Sequence, residues 1–321
     1  MADSGCAMDI NQAEISNIFN FATEQARTIV HLHWLVLGVC ILIGATVMGL
    51  LGYASVKFRQ RDSDAEPEQS PGDIKLEILW TVGPFLIVSF LGVMTAIVMH
   101  QINPSVGARQ PDVIVIAHQW WWEYRYPKYG VVTANELYLP QGADYLLEIR
   151  AADVVHSFWV PDFGEKMDAI PGHPNHLFFK PLRAGVFIGS CSEYCGADHA
   201  LMRIIVRVVP ADAFSDWIKS QKEVPIAAGT PAAANGEKLF MSNTCSRCHE
   251  IAGTDAKAQV GPNLSHLADR KTIGTGIIPN DQANLAKWII NPQQFKPGCY
   301  MPKMRLTEKD ATDIAAYLDG L

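Results

Sequence analysis

The chain has 321 residues, of which 49% are hydrophobic, and a formal net charge of −7. This length is enough for two modest domains with their own cores and for additional segments. The acidic balance argues against a general nucleic-acid binder, which would show a basic excess, so we expect no nucleic-acid partner.

Two apolar segments lie near the N-terminus. Leu35–Val56 and Ile78–Met99 each run for 22 residues without a charged side chain. As helices they would each extend about 30 Å, the thickness of a bilayer core. The alternative, a pair of buried helices in a soluble protein, is disfavoured because the rest of the chain has too little helical sequence to surround them. We predict a transmembrane hairpin within residues 1–107, with spans at about 33–56 and 77–100.

A signal peptide fits the first apolar run poorly, because the run begins late and lacks a basic leader and a clear cleavage site. The short connection between the spans carries four basic residues, Lys57, Arg59, Arg61 and Lys75, whereas the segment before the first span has only Arg27. Positively charged loops stay in the cytoplasm. We therefore expect the N-terminus and everything after His100 to lie on the periplasmic side of a bacterial inner membrane.

The pattern changes to short β-type runs after the second span. Four runs are β-branched or alternate apolar with polar residues, and Pro and Gly turns separate them: residues 113–116, 145–149, 176–179 and 203–209. This pattern predicts a Greek-key barrel or sandwich over residues 108–222, closed by a short helix at 211–220. Residues 1–32 are expected to form a partly helical lead-in.

Residues 223–234 are rich in Ala, Pro and Gly, which is typical of a linker. Helical patterning returns over residues 235–321 and predicts an all-α domain. Its last helix is expected to start at Thr307, a good N-cap with Asp310 three residues later.

Within this domain, Cys245-Ser-Arg-Cys248-His249 is the attachment motif of a c-type haem. Two thiols add across the haem vinyl groups, and the adjacent histidine ligates the iron. A chance match, or a CxxC redox pair beside a histidine, is the alternative. The position of the motif near the start of a helical domain of about 85 residues favours haem.

A compact class I cytochrome c needs a thioether on the opposite face of the haem, where soft sulfur raises the reduction potential. The nearby candidates are Met241, Met301 and Met304. Met241 is too close to the attachment motif to reach the other face. The remaining two could also be ordinary core residues.

A second cluster places two thiols, an imidazole and a thioether within twelve positions: Cys191, Cys195, His199 and Met202. Thiolate and thioether ligands favour copper, and two cysteines four apart on one loop could bridge two metal ions. A structural disulfide or a zinc site would leave the methionine unexplained. We therefore predict copper. A second histidine is needed, and His156 is the best candidate, although alone it would be taken for a core histidine.

Together these motifs resemble subunit II of cytochrome c oxidase, in the branch with a fused cytochrome c, over nearly the whole chain. The resemblance implies a cupredoxin-like barrel in which Cys191 and Cys195 bridge a dinuclear copper centre, CuA. It implies that the other copper ligands are His156, His199, Met202 and the backbone carbonyl of Glu193. It also favours Met301 over Met304 as the sixth haem ligand.

The resemblance implies further roles. The Glu193 side chain matches one that reaches a magnesium ion at the interface with subunit I, beside the segment 168–172. Trp120 matches an exposed tryptophan through which electrons enter, although by composition the aromatic run 118–124 could simply be an amphipathic strand. Glu77 matches a glutamate at the mouth of a proton channel, and it could equally be a carboxylate at the bilayer surface.

The chain departs from the family at His173, where an arginine usually follows Gly172. A fixed positive charge is replaced by a titratable one, which puts contacts to haem propionates through this position in doubt. Cys6, Cys40 and Cys299 have no role that we can assign.

The resemblance implies outer-sphere electron transfer within a proton-translocating cytochrome-c oxidase. A periplasmic cytochrome c or a quinol-oxidising complex would reduce haem c, which would reduce CuA, and subunit I would reduce oxygen to water and pump protons. The alternatives are the same module in a nitric oxide reductase and a membrane-anchored copper carrier or redox sensor. A carrier needs exchangeable ligands and no covalent haem, and a quinol oxidase subunit would lack the copper ligands.

Overall fold

The computed structural model describes residues 16–60, 71–227 and 229–321. Its chain forms two compact units. One unit holds residues 27–104, and the other holds the described residues before 27 together with 105–321. Cys6 and Arg61, both named above, lie outside the described residues.

The first unit is a helical hairpin, formed by α1 (Glu24–Lys57) and α2 (Ile74–Ile102). Among the described residues, these two helices are long and apolar enough to cross a membrane, and the most apolar window of each is 0% and 6% buried. Helices of this length whose apolar side chains are exposed need lipid around them, because no protein core covers them. The two apolar helices predicted from the sequence are therefore confirmed.

Residues before the first helix are built into the second unit. The Ala22 amide donates to the Asp162 carbonyl over 2.7 Å, and the Leu182 amide donates to the Ala22 carbonyl over 2.8 Å. The buried Thr23 hydroxyl donates to the Phe163 carbonyl over 2.9 Å. The described part of the lead-in therefore contacts the barrel before helix α1 begins.

The described part of the β domain has ten strands in two sheets of five. The sheet orders are β3-β2-β1-β5-β8 and β4-β10-β9-β6-β7, in which β1–β5 and β4–β10 pair in parallel and the other pairs are antiparallel. The strands are β1 (Val113–His118), β2 (Trp121–Tyr126), β3 (Val131–Ala134), β4 (Glu136–Pro140), β5 (Tyr145–Ala151), β6 (His156–Trp159), β7 (Lys166–Ala169), β8 (Asn175–Phe179), β9 (Gly185–Cys191) and β10 (Arg203–Val209).

Alternation along the strands builds the barrel core. In β1, Val113, Val115 and Ala117 are fully buried, and the residues between them are partly exposed. The four β-type runs of the sequence fall in β1, β5, β8 and β10. Helix α3 (Ala211–Lys222) covers one side, where the rings of Tyr138 and Trp217 stack with centroids 4.4 Å apart. This is the cupredoxin-like architecture that the sequence predicted.

The C-terminal domain consists of helices α4 (Pro231–Ser242), α5 (Gln282–Ile290) and α6 (Glu308–Leu318) and the short strands β11 (Thr272–Ile273) and β12 (Ile278–Pro279). A side chain at Gly236 would collide with the Asp313 backbone, so glycine lets α4 and α6 approach closely. Thr307 caps α6 in a capping box with Asp310, which confirms the predicted helix start.

Helix α4 begins at Pro231, inside the segment predicted to be a linker. The Thr230 side chain accepts a hydrogen bond from the Ala233 amide and caps the helix. Proline at the first helical position fits because its missing N–H is not needed there.

Candidate copper and haem sites

Adjacent strands position the copper donors. His156 is the first residue of β6, and Cys191 is the last residue of β9, which pairs with β6. The Ser192 amide donates to the Ser157 carbonyl over 3.0 Å, so the loop leaves β9 alongside β6. At the other end of the loop, the Cys191 amide donates to the Met202 carbonyl over 2.9 Å. The sheet thus closes the loop at both ends and brings His156 to it.

The predicted donor atoms lie together in this loop. The Sγ atoms of Cys191 and Cys195 are 3.8 Å apart, far beyond the length of a disulfide bond. The remaining distances are 3.8 Å from Cys191 Sγ to His156 Nδ1, 3.3 Å from Cys191 Sγ to the Glu193 carbonyl oxygen, 3.7 Å from Cys195 Sγ to His199 Nδ1 and 4.0 Å from Cys195 Sγ to Met202 Sδ. The described structure therefore excludes the disulfide alternative and gathers all six predicted donors.

A carboxylate orients the first histidine. His156 Nε2 lies 2.8 Å from Asp153 Oδ1, which leaves Nδ1 facing Cys191. Burial lowers the pKa of His156, but the hydrogen bonds to Asp153 and Cys191 outweigh it and raise that pKa. For Asp153, burial raises the pKa. The hydrogen bonds from His156, Gln119 and Val154 outweigh burial and lower the pKa of Asp153. Sequence reasoning missed Asp153, although a carboxylate three residues before a candidate ligand was a usable signal.

The two thiols are not equivalent. The pKa of Cys191 is lowered mainly because Cys195 donates a hydrogen bond to its sulfur. Burial raises this pKa, but the hydrogen bond from His156 lowers it further, and the net shift is downward. The pKa of Cys195 is raised because it keeps the shared proton and is buried. One thiolate is therefore available for a metal before the other thiol loses its proton.

This donor set fits copper. Soft thiolate and thioether sulfurs with two imidazoles match copper chemistry, whereas a tetrahedral zinc ion would leave donors unused. His156 and Met202 are fully buried, and Cys191 and Cys195 are 4% and 3% exposed. Four of the six donor residues are therefore shielded from water.

The haem motif follows helix α4 in a short turn. The His249 amide donates to the Cys245 carbonyl over 3.0 Å, and both motif cysteines are free and partly buried. His249 Nδ1 lies 2.8 Å from the Pro262 carbonyl, which leaves Nε2 for a ligand. A Cβ at Gly261 would lie 2.6 Å from the His249 ring, so only glycine fits beside it.

Burial lowers the pKa of His249, and the positive charge of Arg270 lowers it further. The hydrogen bond to the Pro262 carbonyl raises this pKa but does not outweigh them. A neutral imidazole with one nitrogen fixed by a carbonyl suits an iron ligand. Two thiols next to this histidine complete a set of residues that fits covalent haem.

Met301 and Met304 lie in the irregular segment between α5 and α6, and both are partly buried. The Met301 carbonyl accepts a hydrogen bond from Gln293 Nε2 over 3.0 Å, and the Met304 amide donates to the Ile290 carbonyl over 3.0 Å. Met301 stays the predicted sixth ligand.

Trp120 is not exposed, contrary to the prediction. Its side chain is 6% exposed, its Nε1 donates to the Cys195 carbonyl over 3.0 Å, and its ring lies 5.1 Å from that of Tyr300. The reason is that the C-terminal domain covers it. Its role in electron transfer stays a prediction.

The other predicted side chains are not among these donor groups. The Glu193 side chain is exposed, as is His173 after the segment 168–172. Glu77 lies exposed in the first turn of α2. Cys40 is exposed in α1, and Cys299 is partly buried with its Sγ 3.2 Å from Gln293 Nε2.

The apolar hairpin, the barrel with its thiol-rich loop and the helical domain with a haem motif define a membrane-anchored electron-transfer protein. Three family models match the chain: "Cytochrome C oxidase subunit II, transmembrane domain" over residues 14–97, its "periplasmic domain" over 130–209, and "Cytochrome c" over 233–321. The chain belongs to the cytochrome c oxidase subunit II family, with a fused cytochrome c domain. Its domains imply CuA copper and a haem, in a part of an oxidoreductase complex.

Curated relatives match most of the chain. It is 34% identical over 291 residues to cytochrome c oxidase subunit 2 of Alkalihalophilus pseudofirmus, which covers 88% of this chain and 84% of the relative. It is 31% identical over 290 residues to that of Bacillus subtilis, covering 84% and 81%. Among solved structures, the periplasmic domain of cytochrome oxidase subunit II of Bradyrhizobium japonicum is 34% identical and covers 37% of this chain and 97% of that chain, with a TM-score of 0.35.

Proposed function

We propose that this chain accepts electrons from a periplasmic donor through covalent haem c and delivers them through CuA to the haem–copper subunit I, which reduces oxygen to water and pumps protons. The donor would be a cytochrome c or a quinol-oxidising complex. One observation carries the proposal: Trp120 contacts both the copper loop and the residue that precedes Met301. Its indole donates to the carbonyl of Cys195, and its ring contacts Tyr300, which directly precedes Met301.

Six groups would hold the copper: the thiols of Cys191 and Cys195, the imidazoles of His156 and His199, the Met202 sulfur and the Glu193 carbonyl. Two copper ions held by these thiolates would share one electron, so each transfer would need little bond rearrangement. Asp153 fixes the His156 ring, and the strand pairing fixes both ends of the loop. Rigid donors keep the reorganisation that accompanies each transfer small.

Cys245 and Cys248 would attach the haem, with His249 and Met301 on its iron. The Pro262 carbonyl holds the His249 ring in one orientation. The haem adds a one-electron carrier at the periplasmic end of the path. The Glu193 side chain, exposed next to the copper loop, is available for a magnesium ion at the subunit I interface.

The proposed orientation places the barrel, the cytochrome domain and the lead-in on the periplasmic side of the inner membrane. Ala22 and Thr23, which directly precede the first span in the chain, are hydrogen-bonded to the barrel. The basic residues between the spans favour the cytoplasm for that connection. Glu77 would then lie near the cytoplasmic surface, where a proton channel takes up protons.

The test is a set of optical and EPR spectra of the intact chain, purified in detergent with its partner subunits, after expression with haem maturation and copper loading. We expect a mixed-valence two-copper EPR signal with near-infrared absorption, together with a c-type haem band. A mononuclear or silent copper signal would overturn the CuA assignment. A haem that acetone extraction removes would overturn covalent attachment.

A further inference from the structure

We propose that Gln119 is a positioning residue of the copper site, which holds the copper loop at Cys195 and the carboxylate of Asp153 from one point. Gln119 lies in the turn between β1 and β2 and is not one of the six donors. The inference rests on the proposed function for the identity of the metal, whereas the hydrogen bonds of Gln119 belong to the chain itself.

A short hairpin fixes the backbone of Gln119. His118 is paired with Trp121 at the end of the β1–β2 ladder, so Gln119 and Trp120 alone form the turn. The rings of His118 and Trp121 stack with centroids 4.1 Å apart, and His118 Nε2 lies 3.2 Å from Glu123 Oε2. The turn therefore presents Gln119 to the copper loop from a well-held base.

The side chain of Gln119 contacts the copper loop at the second cysteine. Its Nε2 donates to the Cys195 carbonyl oxygen over 2.7 Å. Trp120 Nε1 donates to the same oxygen over 3.0 Å, so both acceptor positions of this carbonyl are used. Gly196, with a φ of 116°, lets the loop come this close, because a Cβ there would lie 3.1 Å from Gln119 Nε2 and 2.9 Å from Trp120 Cζ2. Two side chains of the turn thus hold the backbone that carries the Cys195 thiol.

The backbone of Gln119 reaches the histidine side of the copper site. Its amide donates to Asp153 Oδ2 over 2.6 Å, while Asp153 Oδ1 lies 2.8 Å from His156 Nε2. The carboxylate that orients the His156 ring is therefore itself held by Gln119. Through one intermediate group on each side, a single residue holds a thiol donor and an imidazole donor.

Tyr300 determines which way the Gln119 amide points. The Tyr300 hydroxyl donates to Gln119 Oε1 over 2.8 Å. The Cys195 carbonyl can only accept a hydrogen bond, so the amide nitrogen must face it, and the amide oxygen must face the hydroxyl, which can donate. Because both ends of the amide have a partner, the Gln119 side chain has one preferred orientation.

A lysine of the C-terminal domain holds the neighbourhood of Tyr300 in place. Lys296, four residues before Tyr300, is 3% exposed. Its Nζ donates to the Trp120 carbonyl and to the Thr275 hydroxyl, both over 2.5 Å. The segment that carries Tyr300 is thus bonded to the residue that follows Gln119.

A second contact between the same two domains lies at Glu136, a buried residue at the start of β4. Its Oε1 accepts from the amides of Lys271 and Thr272, over 2.9 and 3.0 Å, and from the Thr272 hydroxyl over 3.0 Å. Its Oε2 accepts from Arg207 Nε over 2.6 Å within the barrel. These bonds help to keep the Tyr300 hydroxyl within reach of Gln119.

The first test uses the intact chain with its partner subunits, isolated without copper and kept reduced. Iodoacetamide labels the Cys195 thiol, and mass spectrometry gives the rate. Cys195 is 3% exposed, so labelling requires the loop to open. Gln119→Met keeps the length of the side chain and removes its hydrogen bonds. Gln141→Met is the matched control, because Gln141 Nε2 also donates to a carbonyl, that of Leu182, over 2.9 Å.

We expect Cys195 to be labelled about fivefold faster in Gln119→Met, because one of the two donors to its carbonyl is lost. The control should react as the wild type does. Equal rates in all three proteins would overturn the hold of Gln119 on the loop.

The second test uses the copper-loaded oxidase. In Gln119→Met we expect a shifted near-infrared band, altered copper hyperfine splitting and an affinity for copper about tenfold lower in competition with a chelator. The c-type haem band should not change. A merely structural role would lower the melting temperature and leave the copper spectrum as it is, which would overturn the proposal. Absence of a two-copper signal in the wild type would instead overturn the proposed function, and the labelling rates would still decide whether Gln119 holds the loop.

The third test asks whether Tyr300 acts through Gln119. Tyr300→Phe removes only the hydroxyl, and we expect it to speed the labelling of Cys195 about twofold when Gln119 is present. In the Gln119→Met background the same change should have no effect, since the two residues act as one unit. An equal effect of Tyr300→Phe in both backgrounds would overturn the orienting role of Tyr300.

Discussion

The copper site and the haem site differ in what holds their donors together. The copper donors sit on a loop between paired strands, and ligand atoms of His156, Cys191 and Cys195 lie within 4.8 Å of one another. The haem residues lie on separate segments: a turn after α4 carries Cys245 to His249, and Met301 is 52 positions further along the chain. Only His249 has its ring fixed closely, by Pro262.

The difference teaches how each site depends on its cofactor. The protein organises the copper site in advance, and each donor there is held only by its fold and its hydrogen bonds. In the haem site, the porphyrin itself would join the segments, and two covalent bonds would retain it. Loss of one donor should therefore empty the copper site but only alter the haem site.

The largest expected effect comes from Cys195→Ser. Serine cannot replace a bridging thiolate, so we expect complete loss of the two-copper EPR signal with the c-type haem band unchanged. Cys40→Ser, which removes an exposed thiol in the first span, should leave both signals intact. A full two-copper signal in Cys195→Ser would contradict the statement that loss of one donor empties the copper site.

The next effect is expected from Met301→Leu. The haem should stay attached through Cys245 and Cys248, while the absorption band of thioether-ligated ferric haem disappears and the potential falls. Met304→Leu is the matched control and should keep the band. The reverse result would assign the sixth ligand to Met304.

A smaller effect is expected from Asp153→Asn, which keeps the shape but removes the charge beside His156. Loss of a carboxylate behind a histidine ligand lowers metal affinity about 10- to 100-fold. Competition with a copper chelator measures this change, and Asp144→Asn, an exposed barrel carboxylate, serves as the control. Unchanged affinity would mean that strand pairing alone positions His156.

The smallest effect concerns pH. Burial lowers the pKa of Lys296 from 10.5 to about 8, against the raising effects of Asp198, Cys299 and Cys195. Between these values the unfolded chain binds the proton that the folded chain has released, so the free energy of unfolding rises with pH. We expect a gain of about 1 kcal/mol between pH 7 and 9.

Thermal unfolding midpoints of the wild type and Lys296→Met over this pH range measure the gain as a growing difference between the two proteins. A difference that does not change with pH would show that Lys296 keeps an ordinary pKa in the folded state.

Local spacing made the copper loop, the haem motif and the hairpin predictable. Four copper donors lie within twelve residues, and the cysteines and histidine of the haem motif lie within five, so no tertiary contact was needed to recognise them. His156 was harder, because only the pairing of β6 with β9 brings it to Cys191. The two helices were predictable because an apolar run of 22 residues without a charge is typical of a transmembrane helix.

The contact between the domains could not be predicted in the same way. A glutamate in a strand and a lysine in a loop are ordinarily solvent-exposed, and nothing next to Glu136 or Lys296 in the chain indicates otherwise. The burial of Trp120 was missed for the same reason, since it depends on Tyr300 from a different domain. Such features depend on docking, which leaves no periodic pattern.

The hydrogen bonds of Glu136 have a consequence for how separable the two domains are. A barrel without its C-terminal partner would keep Arg207 but lose three of the donors to one carboxylate, at a surface shaped for another domain. Cutting the chain at residues 223–227 would therefore yield two fragments, each of which exposes to water a surface shaped for the other. The fusion works as one indivisible module, so barrel and cytochrome should be exchanged between relatives together rather than piece by piece.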